Sequence, residues 1–171
     1  MEIWDLLDKD GNKTGETIEK TNLLPSGLYH LGVDVWIKND DGKYLIQKRS
    51  MMKKRMPGMW MATGGSVLSG ESGSDAVIRE SFEELGIEVD TSMLKFLFRN
   101  RLSDCINEVW ILHQNIEISS INMQLDEVSE VKWVKKEDST AMIASGTMID
   151  YGSKYIKIVF EGKRAEHIMG G

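Results

Sequence analysis

One cysteine, Cys105, stands in the whole chain, so no intrachain disulfide and no thiolate cluster for zinc is available to hold a fold together. No apolar run approaches the ~20 residues that a membrane-crossing helix needs. The N-terminus, Met1-Glu2-Ile3-Trp4-Asp5, has neither the basic start nor the apolar stretch of a secretory signal. Basic residues are in deficit, 21 against 27 acidic ones, for a formal net charge of −6. That deficit argues against a general nucleic-acid or anionic-membrane binder but leaves room for a local basic pocket. What remains is 171 residues, 41% hydrophobic and 28% charged, enough for one domain with its own core and too apolar for disorder. A soluble cytoplasmic protein is the expectation.

The chain shows no internal repeat and no low-complexity tract, and it is read as a single domain over 1–171. Residues 2–8 run into the turn signal Asp10-Gly11 before Thr14–Lys20, which predicts a small N-terminal hairpin within an extension over 1–27. This hairpin could seal a sheet edge or pair with a second copy, so a homodimer stays open. Leu23-Leu24-Pro25-Ser26-Gly27 is the best linker signal. From Tyr29 the alternation is clear: Leu31, Val33, Val35 and Ile37 share one strand face, with Asp34 and Trp36 on the other. Asp41-Gly42 turns the chain into a second strand over 43–49. A basic, Met-rich loop, SMMKKRMPGMW, leads to a short strand through Met61-Ala62-Thr63 and then Gly64-Gly65. Further strands are predicted over 93–101, 107–114 and 128–135, and helices over 72–85, 136–145 and 150–161. Many strands interleaved with few helices point to an α/β fold of the α+β type, not a doubly wound parallel sheet.

The helix over 72–85 carries the most information. Ser72 is placed as its N-cap with Asp75 three residues on, an acidic form of the capping box, and Gly86 is placed to end it in a left-handed cap. At 100° per residue Ile78, Phe82 and Leu85 fall within about 60° of arc and read as the buried stripe. With Ile78 at zero, Glu80, Glu83 and Glu84 lie at about 200°, 140° and 240°, on the opposite side. Like charges three and four residues apart repel by a few tenths of a kcal/mol per pair. Water, a nearby arginine or a divalent cation must offset that. Magnesium, a hard ion, takes oxygen ligands from carboxylates, waters and substrate phosphates. Below a glycine-rich turn, such a cluster is suited to hold a diphosphate.

The stretch reads G-x5-E-x7-R-E-x-x-E-E-x-G over Gly65, Glu71, Arg79, Glu80, Glu83, Glu84 and Gly86. It resembles the Nudix box, here over 65–87, the signature of the Nudix hydrolase superfamily. Chance agreement at those positions is on the order of 10⁻⁸ per start. The resemblance implies an α/β/α sandwich with a mixed β-sheet. It implies that Gly65 opens the loop–helix–loop, that Glu71 and Arg79 form a structural pair, and that Glu80, Glu83 and Glu84 bind metal, Mg²⁺ with Mn²⁺ as the alternative. The activity implied is attack of water on a phosphorus of a small nucleoside diphosphate-type compound, with no nucleic-acid polymer and no membrane as partner. Phosphoryl transfer of that kind needs positioning and charge neutralisation. One departure is Ser81, where the family prefers an aliphatic residue that packs. The base that takes the water's proton is expected outside the helix at Glu127 or Glu130, with Glu84 able to share the role; both loop acids also read as plain surface residues.

Residues 45–60 (LIQKRSMMKKRMPGMW), the preceding hairpin, His30 and Asn107-Glu108-Val109 resemble the Nudix branch related to isopentenyl diphosphate isomerase, in patches over roughly 2–135. By that resemblance Arg49 and Lys53 grip the substrate's diphosphate. Isomerisation itself is disfavoured, because the isomerase keeps a Cys in the segment where this chain has Thr63-Gly64-Gly65, and protonating an alkene needs a specific acid. A non-catalytic diphosphate-binding module is the other alternative. His30, taken alone, reads as a hydrogen-bonded structural residue, and Met51, Met52, Met56, Met59 and Met61 read as packing residues near the pocket. Trp60 and Trp110 read as core.

Overall fold

A computed structural model describes residues 1–168. Two strands, Ile3–Leu7 (β1) and Lys13–Glu19 (β2), form the N-terminal antiparallel hairpin as a small sheet of their own. The main sheet has seven strands built around His30–Lys38 (β3). Tyr44–Arg49 (β4) lies antiparallel to it through the Asp41-Gly42 turn, followed by Trp60–Met61 (β5) and Thr63–Ser66 (β6). Helix α1 spans Gly73–Leu85, and Leu94–Arg101 (β7) and Cys105–His113 (β8) return as a hairpin whose second strand runs parallel to β3. Val128–Val134 (β9) pairs with β4, and helices Lys136–Ala144 (α2) and Ser153–Glu161 (α3) finish the chain. The result is a mixed sheet between α1 on one face and α3 on the other. No helix among the described residues is long and apolar enough to cross a membrane.

Period-two alternation along each strand decides what each face buries. On β3, Val33, Val35 and Ile37 meet Ala76, Val77 and Leu85 of α1, while Trp36 points the other way into Tyr44, Phe98, Tyr155 and Val159. Both faces of β3 are therefore covered, and the apparently outward Asp34 is held inside as well. Its carboxylate accepts from Tyr155 Oη at 2.7 Å and Asn107 Nδ2 at 2.5 Å, and burial pushes its pKa up to about 6.

Two readings are corrected by the fold. The strand through Met61 does not end before the glycines: Gly64 and Gly65 belong to β6, paired with Asp34 and Val33, and the break falls at Ala62. Glycine is needed at Gly64, where a Cβ would overlap the Val33 carbonyl oxygen. Met51, Met52 and Met56 do not pack; they are exposed on the loop between β4 and β5. Trp60 is buried in the core, and Trp110 packs partly buried beside it on the α1 side.

The hairpin is fixed to the rest of the protein. Leu6 and Leu7 are buried, Leu7 and Tyr29 exchange backbone hydrogen bonds, and Ser69 N donates to the Ile3 carbonyl at 2.7 Å. Asp5 accepts from Ser69 Oγ at 2.6 Å, which ties the hairpin to the loop that leads into α1.

Candidate active site

Helix α1 begins as its caps dictate. Ser72 Oγ accepts from Asp75 N and the Asp75 carboxylate accepts from Ser72 N, and the helix ends at Gly86 with φ 67°. Its orientation, however, differs from the periodicity. The residues turned inward are Gly73, Ala76, Val77, Ser81, Glu84 and Leu85, an arc centred about a third of a turn from the Ile78–Phe82–Leu85 stripe. Phe82 is 58% exposed and Ile78 36%. The rotation brings the carboxylates onto the sheet, where β4 and β6 supply polar partners for them.

Those partners follow from strand alternation. Leu45, Gln47 and Arg49 lie on the α1 side of β4, and Thr63 and Gly65 on the α1 side of β6. Gln47 Nε2 donates to Glu84 Oε2 at 2.7 Å, and Gln47 Oε1 accepts from Thr63 Oγ1 at 3.0 Å. The threonine hydroxyl thus fixes which end of the amide faces Glu84. Gly65 abuts Glu80 so closely that a Cβ would overlap its carboxylate. Glu84 is 6% exposed, and desolvation pushes its pKa up to about 8, with the Gln47 hydrogen bond pulling the other way. Glu80 is raised too, by desolvation against the pull of Arg79.

Arg79 organises the other end. Its Nε donates to Glu71 Oε1 at 2.8 Å and its Nη2 to Glu71 Oε2 at 3.0 Å, a bidentate pair that lowers the Glu71 pKa. The same guanidinium reaches Glu80 at 2.8 Å, Glu83 at 3.2 Å and the Ser66 carbonyl at 2.8 Å. All five donors of the fork are thereby engaged around the carboxylates.

These groups open on a cavity of about 330 Å³. It brings together Gly65, Arg79, Glu80, Glu83 and Glu84 with Arg49, Lys53 and Glu127. Lys53 Nζ donates to Glu127 Oε1 at 2.5 Å, and Arg49 Nε to the Arg55 carbonyl at 2.7 Å. Glu71 and Gly86 lie outside it, behind Arg79 and at the helix end. Glu130 is not in the cavity. It pairs with Lys48 Nζ at 2.6 Å across the β4–β9 register, and Lys48 sits on the sheet face opposite Gln47 and Arg49. A register shift between Lys48 and Arg49 separates the fates of Glu127 and Glu130, and no local sequence pattern announces it.

Several lining residues carry no motif: Glu2, Trp4 and Lys20 from the hairpin, Arg55 from the Met-rich loop, and Gln124. His30 lines the cavity as well and stacks on Trp4, with ring centroids 4.1 Å apart and planes 15° off parallel. Cys105 sits beside His30 in the β3–β8 pairing, but it is buried and desolvation pushes its thiol up to about 12, so it offers no reactive sulfur.

Among the described residues no three carboxylate, imidazole or thiol groups stand together at metal-ligating distance. The donor set nevertheless fits a hard divalent cation. Glu80 and Glu84 are buried carboxylates held above their ordinary range by desolvation, and a cation is what restores their charged form.

The NUDIX domain family matches residues 28–151. An uncharacterized Nudix hydrolase of Listeria monocytogenes is 36% identical over 152 residues, covering 88% of this chain and 90% of that protein. An isopentenyl-diphosphate Delta-isomerase of Citrobacter koseri is 33% identical over 134 residues, covering 75% of this chain and 74% of that one. The crystal structure of DR0079 from Deinococcus radiodurans shares the fold at a TM-score of 0.75, with 24% identity over 95% of this chain and 100% of that one. A family match across more than half of the chain, joined to hydrolase relatives along nearly its whole length, makes this protein a member of the Nudix hydrolase family that acts on pyrophosphate bonds.

Proposed function

We propose that the protein is a Mg²⁺-dependent pyrophosphohydrolase that cleaves the diphosphate of a small-molecule ester by attack of water at phosphorus. The observation that carries this reading is the pair of buried carboxylates, Glu80 and Glu84, facing Arg49, Lys53 and Arg55 across one cavity. Repelling acids on one wall and cations on the other suit a diphosphate held with its counter-ion.

Glu80, Glu83 and Glu84 would hold Mg²⁺, or Mn²⁺ in its place, and the ion supplies charge neutralisation of the phosphates and a lowered pKa for bound water. Arg49 and Lys53 bind the diphosphate oxygens, Arg49 as a planar fork and Lys53 as a point charge. Gln47, oriented by Thr63, holds Glu84 in one rotamer. Glu127 takes the proton of the attacking water at Oε1, the atom that Lys53 now engages. A phosphate that draws Lys53 away would free that oxygen. Glu84 stays available as a second acceptor, and Glu130 is left out of the chemistry. Isomerisation lacks its acid, since Thr63 Oγ1 is committed to Gln47 and the Cys105 thiol is inert.

The test is phosphate and pyrophosphate release from a panel of diphosphate compounds with and without Mg²⁺. Glu127→Gln should lower kcat by about 10²–10⁴, the usual worth of general-base catalysis, while Glu130→Gln leaves it within about twofold. Absence of metal-dependent release from every compound would overturn the hydrolytic reading, and equal losses in the two variants would overturn the assignment of the base.

A further inference from the structure

The hairpin that precedes the matched family region is a wall of the cavity, held in place by Ser69, Tyr29 and the buried Leu6 and Leu7. Its side chains there differ from the rest of the lining. Glu2 presents a carboxylate, paired with Lys20 Nζ at 2.6 Å. Trp4 is only 8% exposed, and its indole N–H has no hydrogen-bond partner. His30, stacked on Trp4, places Nδ1 3.3 Å from the Leu31 carbonyl. A carbonyl only accepts, so the proton is on Nδ1 and Nε2 is an acceptor in the neutral ring. Burial lowers the His30 pKa and favours that neutral form.

This end of the cavity therefore mixes acceptors, Glu2 and His30 Nε2, with donors, Lys20 and the Trp4 N–H. A third phosphate can only accept, and Glu2 repels it. A hydrocarbon chain would leave all of these groups unpaired in a confined site, which is costly. A hydroxyl both donates and accepts, so a ring bearing several hydroxyls satisfies the whole set. The cavity, at about 330 Å³, is at the small end for ligand sites, enough for a diphosphate and one compact group.

We infer that the hairpin sets the specificity of the site: Glu2 and His30, on the Trp4 wall, read the hydroxyls of a sugar or polyol attached to the diphosphate, with any nucleoside outside the cavity. The inference rests on the hydrolase reading for its chemistry but not for its recognition.

The experiment compares UDP-glucose and ADP-ribose with UTP and isopentenyl diphosphate. Steady-state hydrolysis in Mg²⁺ is measured on wild type, Glu2→Gln and Trp4→Phe, with Glu16→Gln on the exposed strand β2 as a control. Trp4→Phe keeps the ring on His30 and deletes only the N–H. At least one sugar compound should exceed UTP and isopentenyl diphosphate by about 100-fold in kcat/KM, in the manner of sites built to pair substrate hydroxyls. Glu2→Gln should raise its KM by about tenfold at nearly constant kcat, the sign of lost uniform binding, and Glu16→Gln should change neither. Preference for UTP or isopentenyl diphosphate overturns the inference, as does a sugar preference that neither hairpin variant alters. Calorimetric binding to Glu84→Gln, alone and combined with Glu2→Gln, separates recognition from turnover. If wild type hydrolyses nothing, the hydrolase reading fails. Sugar diphosphate binding that weakens with Glu2→Gln still upholds the wall, and equal binding of isopentenyl diphosphate refutes it.

Discussion

Replacing Glu84 by glutamine should stabilise the metal-free protein, and increasingly so as the pH rises. Burial moves this carboxyl from 4.5 up to about 8. Between those values the folded state keeps a proton that the unfolded state has released. Stability therefore falls as the pH climbs from about 4.5, and the penalty is complete only above about 8. The difference, 8 minus 4.5, is about 3.5 pKa units, and at about 1.36 kcal/mol per unit the ceiling is about 5 kcal/mol. Local relaxation and entry of water reduce that to something on the order of 3 kcal/mol. Glutamine has the same shape, carries no charge and can still accept from Gln47 Nε2. For a chain of this length each kcal/mol moves Tm by roughly 2–4 °C, so the variant should melt about 6–12 °C above wild type at pH 8.5 and close to it at pH 4.5. Thermal unfolding followed by circular dichroism in EDTA across that range is the assay. Adding Mg²⁺ should close the gap, because the ion stabilises wild type by mass action. A Tm difference that does not vary with pH, or a variant that melts lower at pH 8.5, would refute the desolvation argument.

Gln47→Leu removes the donor to Glu84 and strands the Thr63 hydroxyl, at similar side-chain volume. It should cost about 1–3 kcal/mol and lower kcat while KM stays near wild type; unaltered kcat would detach Gln47 from the site. Ser81 is fully buried with a hydroxyl that has no partner, so Ser81→Ala should raise stability by about 1 kcal/mol in urea titration. A loss of stability there would reveal a partner for the hydroxyl.

The parts of the fold legible in the sequence are those in which local chemistry and burial agree. Alternation marked β3, Asp41-Gly42 marked its turn into β4, and Ser72, Asp75 and Gly86 marked both ends of α1. Helix α3 starts later than its apolar pattern suggests, at Ser153, because Gly152 with φ 85° stands outside the helix. The site was legible where it is contiguous. Glu71, Arg79, Glu80 and Glu84 come from one stretch of chain, whereas Gln47, Glu2 and Trp4 reach the same cavity only through strand pairing and hairpin docking. Gln47 in particular sits among Leu45, Ile46 and Lys48, where nothing local distinguishes a buried amide with a task from one facing solvent.

The orientation of α1 shows which influence prevailed where the two conflicted. Periodicity placed Ile78 and Phe82 inward, and turning them in would remove two large side chains from water, worth about 1.5–3 kcal/mol each. Instead Ala76, Val77 and the hydroxyl of Ser81 face the sheet, and Glu80 and Glu84 enter the cavity wall at a cost in desolvation. Two features make that rotation tenable. Arg79 spans Glu71, Glu80 and Glu83 at once, which neutralises the carboxylates nearest the box loop, and Gln47 gives Glu84 its one hydrogen bond. Stability is thus conceded on the same helix that carries the chemistry, and a bound cation would return part of it. This is why the pH dependence of the metal-free protein, and its reversal by Mg²⁺, reports on the active site even in the absence of substrate.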